Sequence, residues 1–127
     1  MRGIDTNVLV RLLIRDEPKQ AAAADGFVAA GAWISLLVLV ETVWVLSSVY
    51  ELSRDAIANA IERLLYHAEI VVQDADVATA ALAHFRKRPG VEFSDCLILE
   101  AARKAGHLPV GTFDREFASL GDELVRL

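Results

Sequence analysis

The stretch AWISLLVLVETVWVLSSVY, Ala32 to Tyr50, decides the fold: it is the most apolar run in the chain and it holds a single charge, Glu41. Trp33, Ile34 and Ser35 read as a short buried strand that ends on a helix cap. Leu36 onward reads as a helix with apolar residues on every side, which is the pattern of a buried helix. An ionised carboxylate in that setting costs several kcal/mol unless it is paired, hydrogen-bonded or bound to a metal. Glu41 therefore implies a partner.

Three readings are open. Phe27 to Tyr50 carries no charge but Glu41, so a membrane span is one, yet Gly31 and the Ser35 cap interrupt it. The remainder, Leu36 to Tyr50, makes about 22 Å of helix against a hydrocarbon core of about 30 Å, so no span is expected. A buried Arg or Lys paired with Glu41 is the second. The third, a metal in a cleft, gains weight only if other acids fall where the fold would carry them to Glu41.

With 127 residues the chain fits one domain, 1–127, large enough for a real core, and 54% hydrophobic content supports it. The lone Cys96, followed by Leu97, Ile98 and Leu99, reads as a packed thiol and rules out an intrachain disulfide. The N-terminus, MRGIDTNVLV, carries Asp5 and no small-residue cleavage site, so it does not read as a signal peptide and a cytoplasmic protein is expected. A net charge of −5 argues against a general nucleic-acid binder. If a polyanion is the substrate, the acids must be gathered in a metal site and the bases set around its rim.

Outward from Glu41, short strands alternate with helices. Arg2 to Asp5 reads as a strand followed by Thr6, Asn7 and an amphipathic helix; Asp16, Glu17 and Pro18 open a second helix that Gly31 closes. Ser53 caps a helix with Ile57, Ile61, Leu64 and Leu65 on one stripe; Glu69 to Val72 reads as a strand, and Asp74 or Asp76 caps the helix after it. That helix ends in Arg86, Lys87 and Arg88, cations that suit a helix C-terminus and could equally meet phosphates. In FSDCLILEAARKAG, Ser94 reads as the cap and Asp95 stands in the first turn. A strand from His107 to Gly111, the turn Thr112–Phe113–Asp114, a short helix and a strand from Glu123 to Leu127 complete the chain. The alternation predicts a parallel α/β sandwich.

In such a sheet, ligands bind beyond the carboxyl ends of the strands. Asp5 and Asp114 follow strands, Asp95 opens a helix, and Glu41 lies about two turns into one. Each aspartate alone is an ordinary capping or dipole-matched residue. Together with Glu41, they form a candidate cluster of four carboxylates whose mutual repulsion calls for a cation. Oxygen-only ligands select Mg²⁺ or Mn²⁺, and such ions activate a water for in-line attack on a phosphodiester.

At these residues the chain resembles the PIN-domain family, specifically its VapC-type toxin ribonucleases. The matching words are GIDTNVLVRLL with Asp5, LVETVWVL with Glu41, FSDCLILEAA with Asp95 and TFDREF with Asp114, in order and at similar spacing from end to end of the chain. The resemblance implies a Rossmann-like three-layer α/β/α sandwich with a short, mostly parallel central sheet. It also implies Mg²⁺- or Mn²⁺-dependent RNA cleavage, homodimerisation and inhibition by a cognate antitoxin. By position, Asp5, Glu41, Asp95 and Asp114 match the family's acidic quartet, Thr112 matches a hydroxyl beside the last acid, and Asn7 matches a polar neighbour of the first, read here as a cap. Cys96 departs from the small residue usual after the third acid. Arg86, Lys87, Arg88 and Arg115 are the candidates for a phosphate-facing rim.

Other readings are a PIN nuclease of RNA processing rather than a toxin, a catalytically idle PIN domain, and an acidic α/β phosphoacceptor module. The last would want an acidic pair after the first strand and a Lys after a late one, where this chain has Asp5-Thr6 and Gly111-Thr112.

Overall fold

The computed structural model describes residues 1–127 and contains seven helices and five short strands. The chain divides into two compact units, Met1–Ala75 and Asp76–Leu127.

The first unit holds β1 (Arg2–Gly3), α1 (Thr6–Ile14), α2 (Pro18–Val28), β2 (Ala32–Ile34), α3 (Leu36–Ser48), α4 (Arg54–Leu65) and β3 (Ile70–Val72). Its strands are all parallel in the order β1-β2-β3, with Gly3 opposite Trp33 and Trp33 opposite Val71. Parallel neighbours need a crossover, and the helices between the strands supply it. Ala32 and Ile34 point inward and are fully buried, while Trp33 faces outward over Gly3, as a two-residue period requires. Helix starts follow the polar residues expected of them. Glu17 accepts from Lys19 N and Gln20 N, Ser35 from Val38 N at 3.0 Å, and Ser53 from Ala56 N at 3.1 Å.

Helix α3 is not the wholly buried helix that its composition suggests. It packs against α1 and α4 through Leu39, Thr42 and Leu46, spaced three and four apart, while Leu37, Glu41 and Trp44 form an exposed stripe. An apolar residue on every side cannot say which side has neighbours. Here only one side does, and Leu37 and Trp44 stand about two-thirds exposed (68% and 65%). The Thr42 hydroxyl is buried with no hydrogen-bond partner. Valine keeps the shape and removes the unmet donor, so Thr42→Val is expected to raise stability by on the order of 1 kcal/mol. A urea midpoint displaced upward at constant slope would bear this out; a lowered midpoint would show that the hydroxyl is satisfied.

The second unit holds α5 (Ala75–Lys87), which begins one residue before it, then α6 (Phe93–Ala105), β4 (Val110–Thr112), α7 (Arg115–Ala118) and β5 (Leu124–Arg126). Strands β4 and β5 are parallel, with Gly111 opposite Val125. Phe93 is buried edge-to-face on Phe85, ring centroids 5.8 Å apart. Burying that ring sets the entry of α6 two residues early: Glu92 takes the extended N-cap position without a side-chain cap bond, and Ser94 lies inside the first turn. Asp74, one of two candidate caps for α5, has a left-handed backbone (φ 45°) instead of the extended geometry of an N-cap.

The buried carboxylate of the chain is Glu100, not Glu41. Arg103 Nε donates to it at 2.9 Å and His84 Nε2 stands 3.5 Å away, so the charge foreseen for α3 lies on α6, paired with Arg103. Arg103 also pairs with Glu123. No helix is long and apolar enough to cross a membrane.

Candidate active site

Strand β1 is prolonged by Ile4 N, which donates to Trp33 O at 3.1 Å, and Asp5 is the next residue. Asp5 is the N-cap of α1: its Oδ1 accepts from Thr6 N at 2.6 Å. That leaves no capping role for Asn7, whose exposed amide makes no hydrogen bond within the protein. Thr6, almost fully buried, turns its hydroxyl the other way and donates to Glu41 Oε2 at 2.8 Å, across 35 residues of chain.

Glu41 is delivered by a well-fastened helix start. Besides the Ser35 cap, Leu36 N donates to Gln73 Oε1 at 2.9 Å, while Gln73 N donates to Ile34 O at 2.8 Å. The residue after β3 thus holds the end of β2 and the beginning of α3 together. A turn and a half later, Glu41 meets Thr6 at the exit of β1. The partner that Glu41 demanded is a hydroxyl, and no Arg or Lys is paired with it.

In the second unit, Asp95 lies in the first turn of α6 and Asp114 is the N-cap of α7. Asp114 Oδ1 accepts from Phe117 N at 3.0 Å, and Asp114 N donates to Thr112 Oγ1 at 3.0 Å. Thr112 therefore sets the turn that presents the acid. The Asp95 carboxyl titrates above the usual carboxylate range, first because burial strips its water, then because the charges of Asp114 and Glu92 face it. Glu92 is an acid that sequence reading passed over. Its spacing, three residues before Asp95 across a helix start, was the available signal, and Thr6 was hidden in the same way between Asp5 and Asn7.

One pattern runs through these acids. Asp5, Glu41 and Asp114 each have one carboxylate oxygen pinned by a protein donor and the other unbonded, and Asp95 has no donor at all. An ionised carboxylate accepts only, so the unbonded oxygens are places for a cation. The donor set is oxygen throughout, which fits a hard divalent ion and not zinc. Within each unit the acids come in small groups, and no three acid, histidine or cysteine side chains stand together in metal-holding geometry.

Of the basic candidates, Arg88 is engaged with α7: its guanidinium donates to Ser119 O at 3.1 Å and to the Ser119 hydroxyl. Arg86 and Lys87 end α5 and are exposed, as is Arg115 at the start of α7.

No curated protein and no solved structure matches the chain. The family model of the PIN domain matches it over residues 4–123, which takes in all four acids. The chain belongs to the PIN-domain family, a nuclease fold of α/β class whose members generally use divalent metal ions.

Proposed function

We propose that residues 1–127 act as one nuclease domain, a metal-dependent endoribonuclease that hydrolyses RNA phosphodiester bonds with Asp5, Glu41, Asp95 and Asp114 as the ligands of Mg²⁺ or Mn²⁺. The observation that carries this reading is the half-pinned state of Asp5, Glu41 and Asp114, each held by one oxygen with the other unbonded. A divalent ion, when bound, supplies charge for the phosphate oxygens and acidifies water at neutral pH. The rest falls to the chain. The Asp5 cap and the Thr6 hydroxyl fix two carboxylates before any ion arrives, so little ordering is left for the moment of binding. Burial and the charges of Asp114 and Glu92 disfavour the ionised form of Asp95, and a bound cation would offset both. Arg86, Lys87, Arg88 and Arg115 are the cations proposed to meet the RNA backbone.

Thr6 acts through Glu41 as a positioning residue. Thr6→Val is expected to raise the Mn²⁺ concentration for half-maximal cleavage by about tenfold, the low end for a residue that orients a metal ligand. An unchanged metal dependence would leave Thr6 as packing only.

The VapC-type words support a toxin of a toxin–antitoxin pair, homodimeric, cytoplasmic and held inactive by its antitoxin. The test is incubation of the purified protein with defined RNAs, with and without Mg²⁺, followed by mapping of the cut ends. Internal cuts that need the metal are expected; intact RNA in every condition would reject the proposal. Growth arrest on expression, relieved by co-expressing a short open reading frame from directly upstream, would separate a toxin from a processing nuclease.

A further inference from the structure

The first unit contains a groove of about 450 Å³ between α1 and α2 that begins at the exit of β1, beside Asp5. We propose that this groove receives the nucleobase of the nucleotide adjoining the scissile phosphate, and that Asn7 and Gln20 read its edge. The proposal rests on the reading of Asp5 as a site residue.

The occupant follows from shape and hydrogen-bonding chemistry. The volume falls within the range of small-ligand pockets, about 300–1,000 Å³. The walls are mostly apolar, with Val8 of α1 and Ala23 and Phe27 of α2 among them. The Arg2 guanidinium lies 3.7 Å from the centroid of that ring and donates to Phe27 O, so the ring is held in place and can serve as a platform. A flat base with two π-faces suits such walls, and stacking on an aromatic tolerates any base.

The rim supplies what an apolar ligand could not use. Gln20 Oε1 accepts from Arg11 Nε at 2.5 Å, and Arg11 is fixed in turn by Asp16 Oδ1 at 3.2 Å and the Tyr50 hydroxyl at 3.1 Å. Arg11 can only donate, so it sets the orientation of the Gln20 amide and leaves the NH₂ group without a protein acceptor. Asn7, with both a donor and an acceptor unmet, lines the same groove. A base edge presents donors and acceptors together. An aliphatic peptide side chain would bury both amides unpaired, which is costly.

The experiment titrates the four nucleoside 5′-monophosphates and a single-stranded decamer RNA into the protein without divalent cation, followed by amide NMR, so that the readout is independent of cleavage. At least one nucleotide is expected to shift Val8, Ala23 and Phe27. Ala23→Phe, which fills the groove from an exposed position, is expected to weaken that binding about tenfold or more, the size of one lost base-stacking contact. Gln20→Ala is expected to change the ranking of the four bases. A decamer that binds with the same shifts identifies an RNA base as occupant, whereas a free nucleotide that binds while the decamer does not overturns the assignment. No response to any nucleotide, a response only to apolar peptide, or an Ala23→Phe protein that binds as well as wild type also overturns it. Wild-type cleavage of RNA with an unaltered base preference in Ala23→Phe would reject the groove and spare the nuclease reading. Nucleotide binding in the groove by a protein that cuts no RNA would do the reverse.

Discussion

Asp5→Asn is expected to lower magnesium-dependent RNA cleavage by at least about 100-fold, more than the loss of a residue that merely supports a ligand, while the protein stays folded. The substitution separates two roles that one side chain holds. As the N-cap of α1, Asp5 needs a single acceptor for Thr6 N, and asparagine is as good a cap as aspartate. As a proposed metal ligand it needs the charge on its second oxygen, which asparagine lacks. Circular dichroism and the unfolding midpoint should therefore match wild type while cleavage collapses. Unfolding would mean that the charge is structural, and retained cleavage would remove Asp5 from the site.

Asp95→Asn is expected to abolish cleavage to a similar degree and to make the metal-free protein more stable at neutral pH. Two effects oppose each other at this position. A negative charge in the first turn of a helix gains about 0.3–1 kcal/mol from the helix dipole. Burial and the charges of Asp114 and Glu92 act against it and raise its pKa, and the expected result is that they outweigh the dipole. The sign in terms of pH is then fixed. A carboxyl whose folded pKa exceeds its unfolded value, about 3.9, binds protons more tightly in the native state, so native stability falls as pH rises through that value to the folded pKa and stays lowered above it. The stability difference between Asp95→Asn and wild type should open over that window and level off at neutral pH. Added Mg²⁺ or Mn²⁺ should stabilise wild type and leave the variant unmoved. A variant that melts lower than metal-free wild type at pH 7 would show that the dipole term dominates.

The elements were legible because their signals are local. Ser35 and Ser53 cap the helices that the sequence assigned to them, and the strand read at Trp33 to Ser35 forms one residue earlier, from Ala32 to Ile34. What local signals could not carry is which face of an element meets a neighbour. Leu36 to Ser48 is apolar around its whole circumference, and only the packing of α1 and α4 against it decides that Leu39, Thr42 and Leu46 are inside and Glu41 outside. The inference of a partner for Glu41 therefore began from a burial that does not exist, although Glu41 does have a partner in Thr6, across 35 residues. Glu100 shows the converse: nothing in the local run EAARKA marks it as buried, yet it is, with His84 of another helix facing it. Ser94 and Asn7 looked like caps by residue type, but Phe93 and Asp5 respectively had settled where those helices begin.

Titration of the metal-free protein with Mn²⁺, followed by calorimetry, bears most directly on the four acids as ligands of a hard divalent ion. Wild type should bind Mn²⁺, Glu41→Gln and Asp95→Asn should each weaken that binding by at least about tenfold, and Thr42→Val, one residue from Glu41 but facing the core, should leave it unchanged. Mn²⁺ bound as tightly by Glu41→Gln and Asp95→Asn as by wild type would contradict the assignment of these carboxylates to a metal.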